Sequence, residues 1–177
     1  MKKFTEINAE NREFIGQQKV FFVGTAAADG RVNVSPKGGD TLRVLNSHQV
    51  AWLNLTGSGN ETAAHLLAQN RITLMFCAFE GKPNILRLYG TAAVYHPRDA
   101  AWAELLPLFP ALPGARQILL VEVDLVTTSC GMAVPLLTFE QERDDLNRLF
   151  GQRGPTQTAE YWQNRNAVSL DGKPTGI

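Results

Sequence analysis

Residues 50–67 read VAWLNLTGSGNETAAHLL. An apolar run, 50–55, gives way to six small or polar residues, Thr56 to Glu61, and a helical pattern follows at once. Working outward, the flanking segments are short strands rather than further helices. Residues 20–26 and 31–35 pair around an Asp29-Gly30 turn, and 41–46 and 49–55 turn through Asn46 to His48. Beyond the helix (61–69) come RITLMFCAF at 71–79, ILRLYGTAAVY at 85–95 and RQILLVEVDLV at 116–126. A single small helix inserted into a run of adjacent strands is not the βαβα alternation of a parallel sheet. It predicts a mainly β fold, antiparallel strands closing into a small barrel, with Gly24, Gly81 and Gly90 letting strands bend or turn.

Helices are expected at 8–17, from Pro97 as a first helical residue, and in the tail at 140–150 and 158–164. Ala63, Leu66, Leu67 and Asn70 are expected on one side of the central helix, and Leu146, Leu149 and Phe150 as a stripe in the tail. The whole of 1–177 reads as one domain: a barrel over about 18–128 and a C-terminal extension over 129–177, packing on the barrel or on a partner subunit.

The bulk composition is globular, 44% hydrophobic and 19% charged. Lysine plus arginine equals aspartate plus glutamate at 17 each, which gives no bulk attraction to nucleic acid or to an anionic membrane. No apolar run approaches the roughly 18 residues of a membrane helix, and the N-terminus, MKKFTEINAENREF, turns polar where a secretion signal is apolar. Cys77 and Cys130 form no metal-ligand spacing and read as two reduced thiols of a cytoplasmic protein.

The polar run 56–61 has two readings. Ser58 and Glu61 have the spacing of a capping box, and Asn60 is an equally good N-cap, so the run is a well-capped helix start. Equally, the first helical N–H groups, the Asn60 amide and the Thr62 hydroxyl suit a phosphate, with Gly57 and Gly59 letting the backbone approach. Two cations stand near enough in sequence to matter. Lys37 closes the strand RVNVSPK, where Pro36 implies an edge or a break in pairing. Arg87 interrupts an apolar strand, and either snorkels to water or meets a buried anion.

GTAAADGRVNVSPKG, AWLNLTGSGNETAAHLL, RITLMFCAF and LRLYGTAAVY, in that order, resemble the pyridoxamine 5′-phosphate oxidase-like family of flavin-binding split barrels. The resemblance implies a six-stranded antiparallel split barrel, a homodimer, and FMN held noncovalently at the dimer interface. It carries the cofactor to Asn33, Val34, Ser35, Pro36 and Lys37 beside the ring and ribityl chain, to Leu53 and Asn54 nearby, and to Asn60, Glu61 and Thr62 around the phosphate. The polar run is then a phosphate cup. This chain departs from the family's oxidases in having Asn60-Glu61-Thr62 where they have an Arg-Lys pair, and Val32 or Asn33 where they have a leading arginine. Lys37 and Arg87 are the candidate replacements for that charge. The oxidases' C-terminal Arg-x-His signature is also not evident, which points away from pyridoxamine phosphate as substrate.

No side-chain catalytic set is visible. His48, His65 and His96 are scattered, and no nucleophile elbow or zinc motif is present. A flavin carries its own redox chemistry, so the expected function is an FMN-dependent oxidoreductase acting on a small redox substrate. The alternatives are a non-catalytic flavin-binding or sensing module and, behind it, a haem-handling split barrel. Trp52, Trp102 and Trp162 are candidates to cover the ring.

Overall fold

The computed structural model describes residues 1–177. The elements run β1 (Lys2–Phe4), α1 (Ala9–Gln17), β2 (Phe21–Thr25), β3 (Asn33–Lys37), β4 (Leu42–Val44), β5 (Gln49–Leu55), α2 (Glu61–Ala68), β6 (Ile72–Cys77), β7 (Ile85–Tyr95), α3 (Ala100–Leu105), β8 (Ala115–Ser129) and α4 (Asp145–Tyr161). Every strand pairing is antiparallel, in the order β3-β2-β6-β7-β8-β5-β4. The sheet curls into a mainly β split barrel, as the sequence predicts, with eight strands where the family resemblance implies six; seven of them correspond to the segments read as strands. The strand absent from the sequence reading is β1. Three residues of polar pattern carry no periodic signal, and they become a strand because Lys2–Phe4 adds to the end of β8 at Val126–Thr128.

β5 shows why its run lacks alternation. Val50 and Trp52 point into the barrel with Val23, Leu74, Leu88 and Val121, while Ala51 and Leu53 face a second layer with Ile118 and Phe109. A strand buried on both faces has no polar side to display. α3 and the short 3-10 turn Leu106–Leu108 cover that second layer.

The long hairpin of β7 and β8 carries the bend. Its register slips between Tyr89 and Gly90, where Gly90 faces Val123 and Tyr89 faces Leu125. A β-carbon on Gly90 would lie 1.8 Å from the Glu122 carbonyl oxygen, so only glycine fits the bulge.

The helices adjust several expectations. α2 buries Ala63, Ala64, His65 and Leu66, whereas Leu67 is 62% exposed. The inward face is set by the buried His65 ring, whose Nδ1 lies 3.0 Å from Thr25 Oγ1 on β2. α3 begins after Asp99, not at Pro97: the Asp99 N–H donates to the His96 carbonyl and the His96 N–H to the Asp99 carboxylate, leaving Pro97 in the turn between them. The tail holds two helical segments, as expected, but with other bounds: the stretch α4 is broken at Gly154 (φ 68°, ψ 178°) ahead of Pro155, and a π-turn over Trp162–Asn166 continues its second half. Of the expected tail stripe Phe150 is buried and Leu149 is 44% exposed. Both cysteines are free, Cys77 buried and Cys130 exposed. No helix is long and apolar enough to cross a membrane.

Gly90→Ala is expected to lower unfolding stability by more than about 2 kcal/mol in urea titrations, because a β-carbon there meets backbone. Gly24→Ala, whose β-carbon would find only Thr73 at 3.9 Å, is expected to change it by less than about 1 kcal/mol.

Candidate functional site

Two adjoining cavities open at the end of the barrel where β3, β5 and the start of α2 meet. The smaller, about 510 Å³, is lined by Asn33, Ser35 and Lys37 of β3, by the 57–62 loop and helix start, and by Arg116, Arg165 and residues 168–170. The larger, about 1200 Å³, is walled by Trp52, Leu53, Leu55, Phe79, Leu112 and Phe139 among others. The two share Lys37, Asn54 and Gly57.

The alternation of β3 aims Asn33, Ser35 and Lys37 inward and leaves Val34, 64% exposed, on the opposite face. The inward set is wired together: Ser35 donates to Asn33 Oδ1 at 3.1 Å, and Asn33 Nδ2 lies 3.4 Å from Thr62 Oγ1 on α2. Asn54, buried on β5, donates to Gln117 Oε1 at 3.1 Å. Leu53 faces the second core layer yet contributes to the wall of the larger cavity. Pro36 also lines the larger cavity. Arg87 stands apart from both; its guanidinium reaches Ser129 Oγ at 3.4 Å on the neighbouring strand.

The expected caps of α2 do not form. Asn60 is its N-cap, but the amide caps nothing: Nδ2 and Oδ1 are both buried without a hydrogen-bond partner. Nor does Ser58 engage Glu61 in a capping box. The Glu61 carboxylate instead accepts the Leu170 N–H at 3.0 and 3.2 Å. The start of α2 therefore keeps its N–H groups and positive dipole end directed at the smaller cavity.

The residue that dominates this cavity is Arg116, at the start of β8 and only 2% exposed. Its Nη1 donates to the Gly59 carbonyl at 3.0 Å and to Asn166 Oδ1 at 2.7 Å, while its Nε has no partner. Neither Arg116 nor Lys37 belongs to any of the structure's ion pairs. Lys37 Nζ lies 5.3 Å from the centre of the Trp52 ring. Desolvation, assisted by the nearby Arg116 charge, pulls the Lys37 ammonium down to about 8. Burial pulls Arg116 down to about 10, opposed by Tyr161. With Arg165, three cations face the smaller cavity against one carboxylate, Glu61. Burying cations without counter-ions is costly, and an anion in the cavity removes that cost.

Sequence reasoning missed Arg116 and Arg165. The available signal was the adjacent pair Arg116-Gln117 opening an otherwise apolar strand. Both side chains are almost fully buried. No histidine lines either cavity.

Residues 7–130 match the family model described as pyridoxamine 5′-phosphate oxidase. The chain belongs to the pyridoxamine 5′-phosphate oxidase family. It is 37% identical over 194 residues to the pyridoxamine 5′-phosphate oxidase family protein ustO of Aspergillus flavus, a match spanning 98% of this chain and 78% of that protein. Among solved structures it is similar in fold to a putative pyridoxamine 5′-phosphate oxidase of Lactobacillus delbrueckii (TM-score 0.56, 20% identity, 72% of this chain and 99% of that one). It is likewise similar in fold to the H111A form of HupZ from Group A Streptococcus (TM-score 0.55, 18% identity, 70% of this chain and 99% of that one).

An anion that settles between Lys37 and Arg116 stabilises the native state by mass action. Millimolar inorganic phosphate is expected to raise the thermal midpoint of the wild type by a few degrees. The rise should disappear in Arg116→Met and shrink in Lys37→Met, as scanning calorimetry would register.

Proposed function

We propose that the two joined cavities hold FMN and that the protein is an FMN-dependent oxidoreductase. The observation that carries this reading is a pair of cations without counter-ions, the buried Arg116 and the half-buried Lys37, beside a cleft of about 1200 Å³. The donor set fits the group. Arg116 Nε, the orphaned Asn60 amide, Thr62 and the first N–H groups of α2 suit the phosphate. The shared lining residues Lys37, Asn54 and Gly57 suit the ribityl chain, and the walls formed by Trp52, Leu53, Leu55 and Phe139 suit the ring. Arg116 and Arg165 take the place of the Arg-Lys pair that the family's oxidases carry at the helix start.

Bound FMN supplies hydride acceptance at its own ring, with NAD(P)H or a reduced organic compound as the donor. The chain's part is to bind, orient and exclude water. Arg116 and α2 fix the phosphate end. The edge strand β3 offers backbone along the ring, and Trp52 closes the inner wall with Lys37 beside it. Val34 on that edge strand and Val32 just before it stand 64% and 73% exposed, which suits coverage by a second subunit in a homodimer with the cofactor at the interface. Pyridoxamine phosphate is not the favoured substrate, since no C-terminal Arg-x-His set is present. Neither cavity offers a histidine, so this site lacks the usual imidazole ligand for haem.

Three measurements test the proposal. FMN titrated into the protein should quench its fluorescence with micromolar or tighter affinity, and Arg116→Met should weaken binding roughly ten- to hundredfold, as loss of a charge-assisted hydrogen bond does. Above pH 8 the free Lys37 loses its proton while the anion-bound form keeps it, so binding must take a proton up. Affinity is therefore expected to fall with rising pH from 8, by at most tenfold per unit, and Lys37→Met should flatten the fall. Anaerobic NADH or NADPH should bleach the bound FMN. Binding without bleaching by any donor would assign the site to flavin holding rather than catalysis.

A further inference from the structure

Residues 168–174 form a compact hairpin. Val168 bridges Pro174, the Ser169 N–H donates to the Lys173 carbonyl at 2.8 Å, the Gly172 N–H to the Ser169 carbonyl at 3.0 Å, and the Lys173 N–H to Ser169 Oγ at 3.1 Å. Both ends of the hairpin are clamped. Asn166, fully buried, accepts from Arg116 and donates to the Gly57 carbonyl at 3.1 Å, and the Thr175 N–H donates to the Ala167 carbonyl at 3.1 Å.

The tip is attached quite differently. Asp171 pairs with the Arg31 guanidinium and accepts the Arg31 N–H, and Lys173 Nζ meets Asp29 Oδ1 at 2.7 Å. Both pairs sit on the β2–β3 turn, and each joins a strongly exposed side chain, Arg31 at 73% and Asp29 at 81%, to a largely covered one, Asp171 at 10% and Lys173 at 21%. Pairs open to solvent on one side are screened by salt. Gly30 makes room for the contact: a β-carbon there would fall 2.4 Å from the Asp171 carboxylate. One inner contact remains, the Leu170 N–H on the Glu61 carboxylate. The underside of the hairpin, Val168 to Leu170, is a wall of the cationic cavity.

We propose that residues 168–174 are a lid on the cationic cavity, rigid in itself and hinged at its clamped base. Two half-exposed ion pairs and the Glu61 catch keep it shut, so that lid opening sets the rate of ligand exchange. The strong contacts lie inside the hairpin and at its base, and the weak ones lie between its tip and the barrel. That distribution lets the tip lift without unravelling. Glu61, adverse to an anion if left free beside it, is occupied by the lid backbone when the lid is closed. The proposal rests on reading the cavity as the FMN phosphate site, and its test separates the two.

Stopped-flow binding of FMN to wild type and to Asp29→Asn/Asp171→Asn reads the lid directly. A lid requires both association and release to quicken in the variant, about two- to fivefold for each pair removed, with equilibrium affinity changed by less than about twofold. The gap between the two proteins should close as KCl rises to about 0.5 M. Unchanged rates, or faster release alone, would overturn the lid and leave only a fixed wall. Amide exchange in the ligand-free wild type gives the second readout. Salt should speed exchange of the Leu170 and Arg31 amides together and leave those of Ser169 and Lys173 protected, since these stay within the hairpin. Four amides moving together, or none moving, would contradict a rigid lid. If FMN binds neither protein, the reading of the cavity falls and the amide pattern alone decides the lid.

Discussion

Arg116 is the constraint on which the site depends. Its guanidinium ties the Gly59 carbonyl, in the loop before α2, to Asn166 in the tail, and so joins two parts of the chain that meet nowhere near each other in sequence. Two hydrogen bonds to uncharged acceptors do not neutralise it. The charge remains, almost wholly out of water and close enough to Lys37 to add to the desolvation that lowers the Lys37 ammonium. A fold can hold such an arrangement when its stability is drawn from elsewhere, here from the doubly buried β5 and the bulged β7–β8 hairpin. An anion held there would supply the counter-charge that the fold does not.

The same logic orders the surroundings. The helix start of α2 adds dipole without adding a formal charge, and its N-cap amide is left unengaged. Glu61, the one adverse carboxylate, is held by the Leu170 backbone. Trp162 donates to Thr56 Oγ1 at 2.8 Å and Thr56 in turn donates to the Gly114 carbonyl at 2.7 Å, so the tail is fastened to the barrel at the rim of the site. A cavity assembled this way uses barrel, loop and tail together.

Much of the architecture was legible in the sequence because strands announce themselves by composition and turns by punctuation such as Asp29-Gly30. The 49–55 run read as strand, and its even apolarity is explained by burial on both faces. β1 was not legible, since its three residues are strand only through β8. Of the residues that the family resemblance named on β3, alternation brings Asn33, Ser35 and Lys37 into one cavity with Thr62 and turns Val34 away from it. The site was illegible where the third dimension decides it. Arg87 attracted notice as a charge in an apolar run, yet the neighbouring strand offers it Ser129. Arg116 looked ordinary at a strand entrance, and only the docking of residues 165–170 over it makes it a buried cation.

The most direct measurement of the central claim is a crystal structure of the protein with FMN. The account expects the phosphate within hydrogen-bond distance of Arg116 and Thr62 at the start of α2, with the ring lying along β3 and over the Trp52 wall. A phosphate placed at any other position, or a cavity holding only water beneath a closed 168–174 hairpin at saturating FMN, would contradict it.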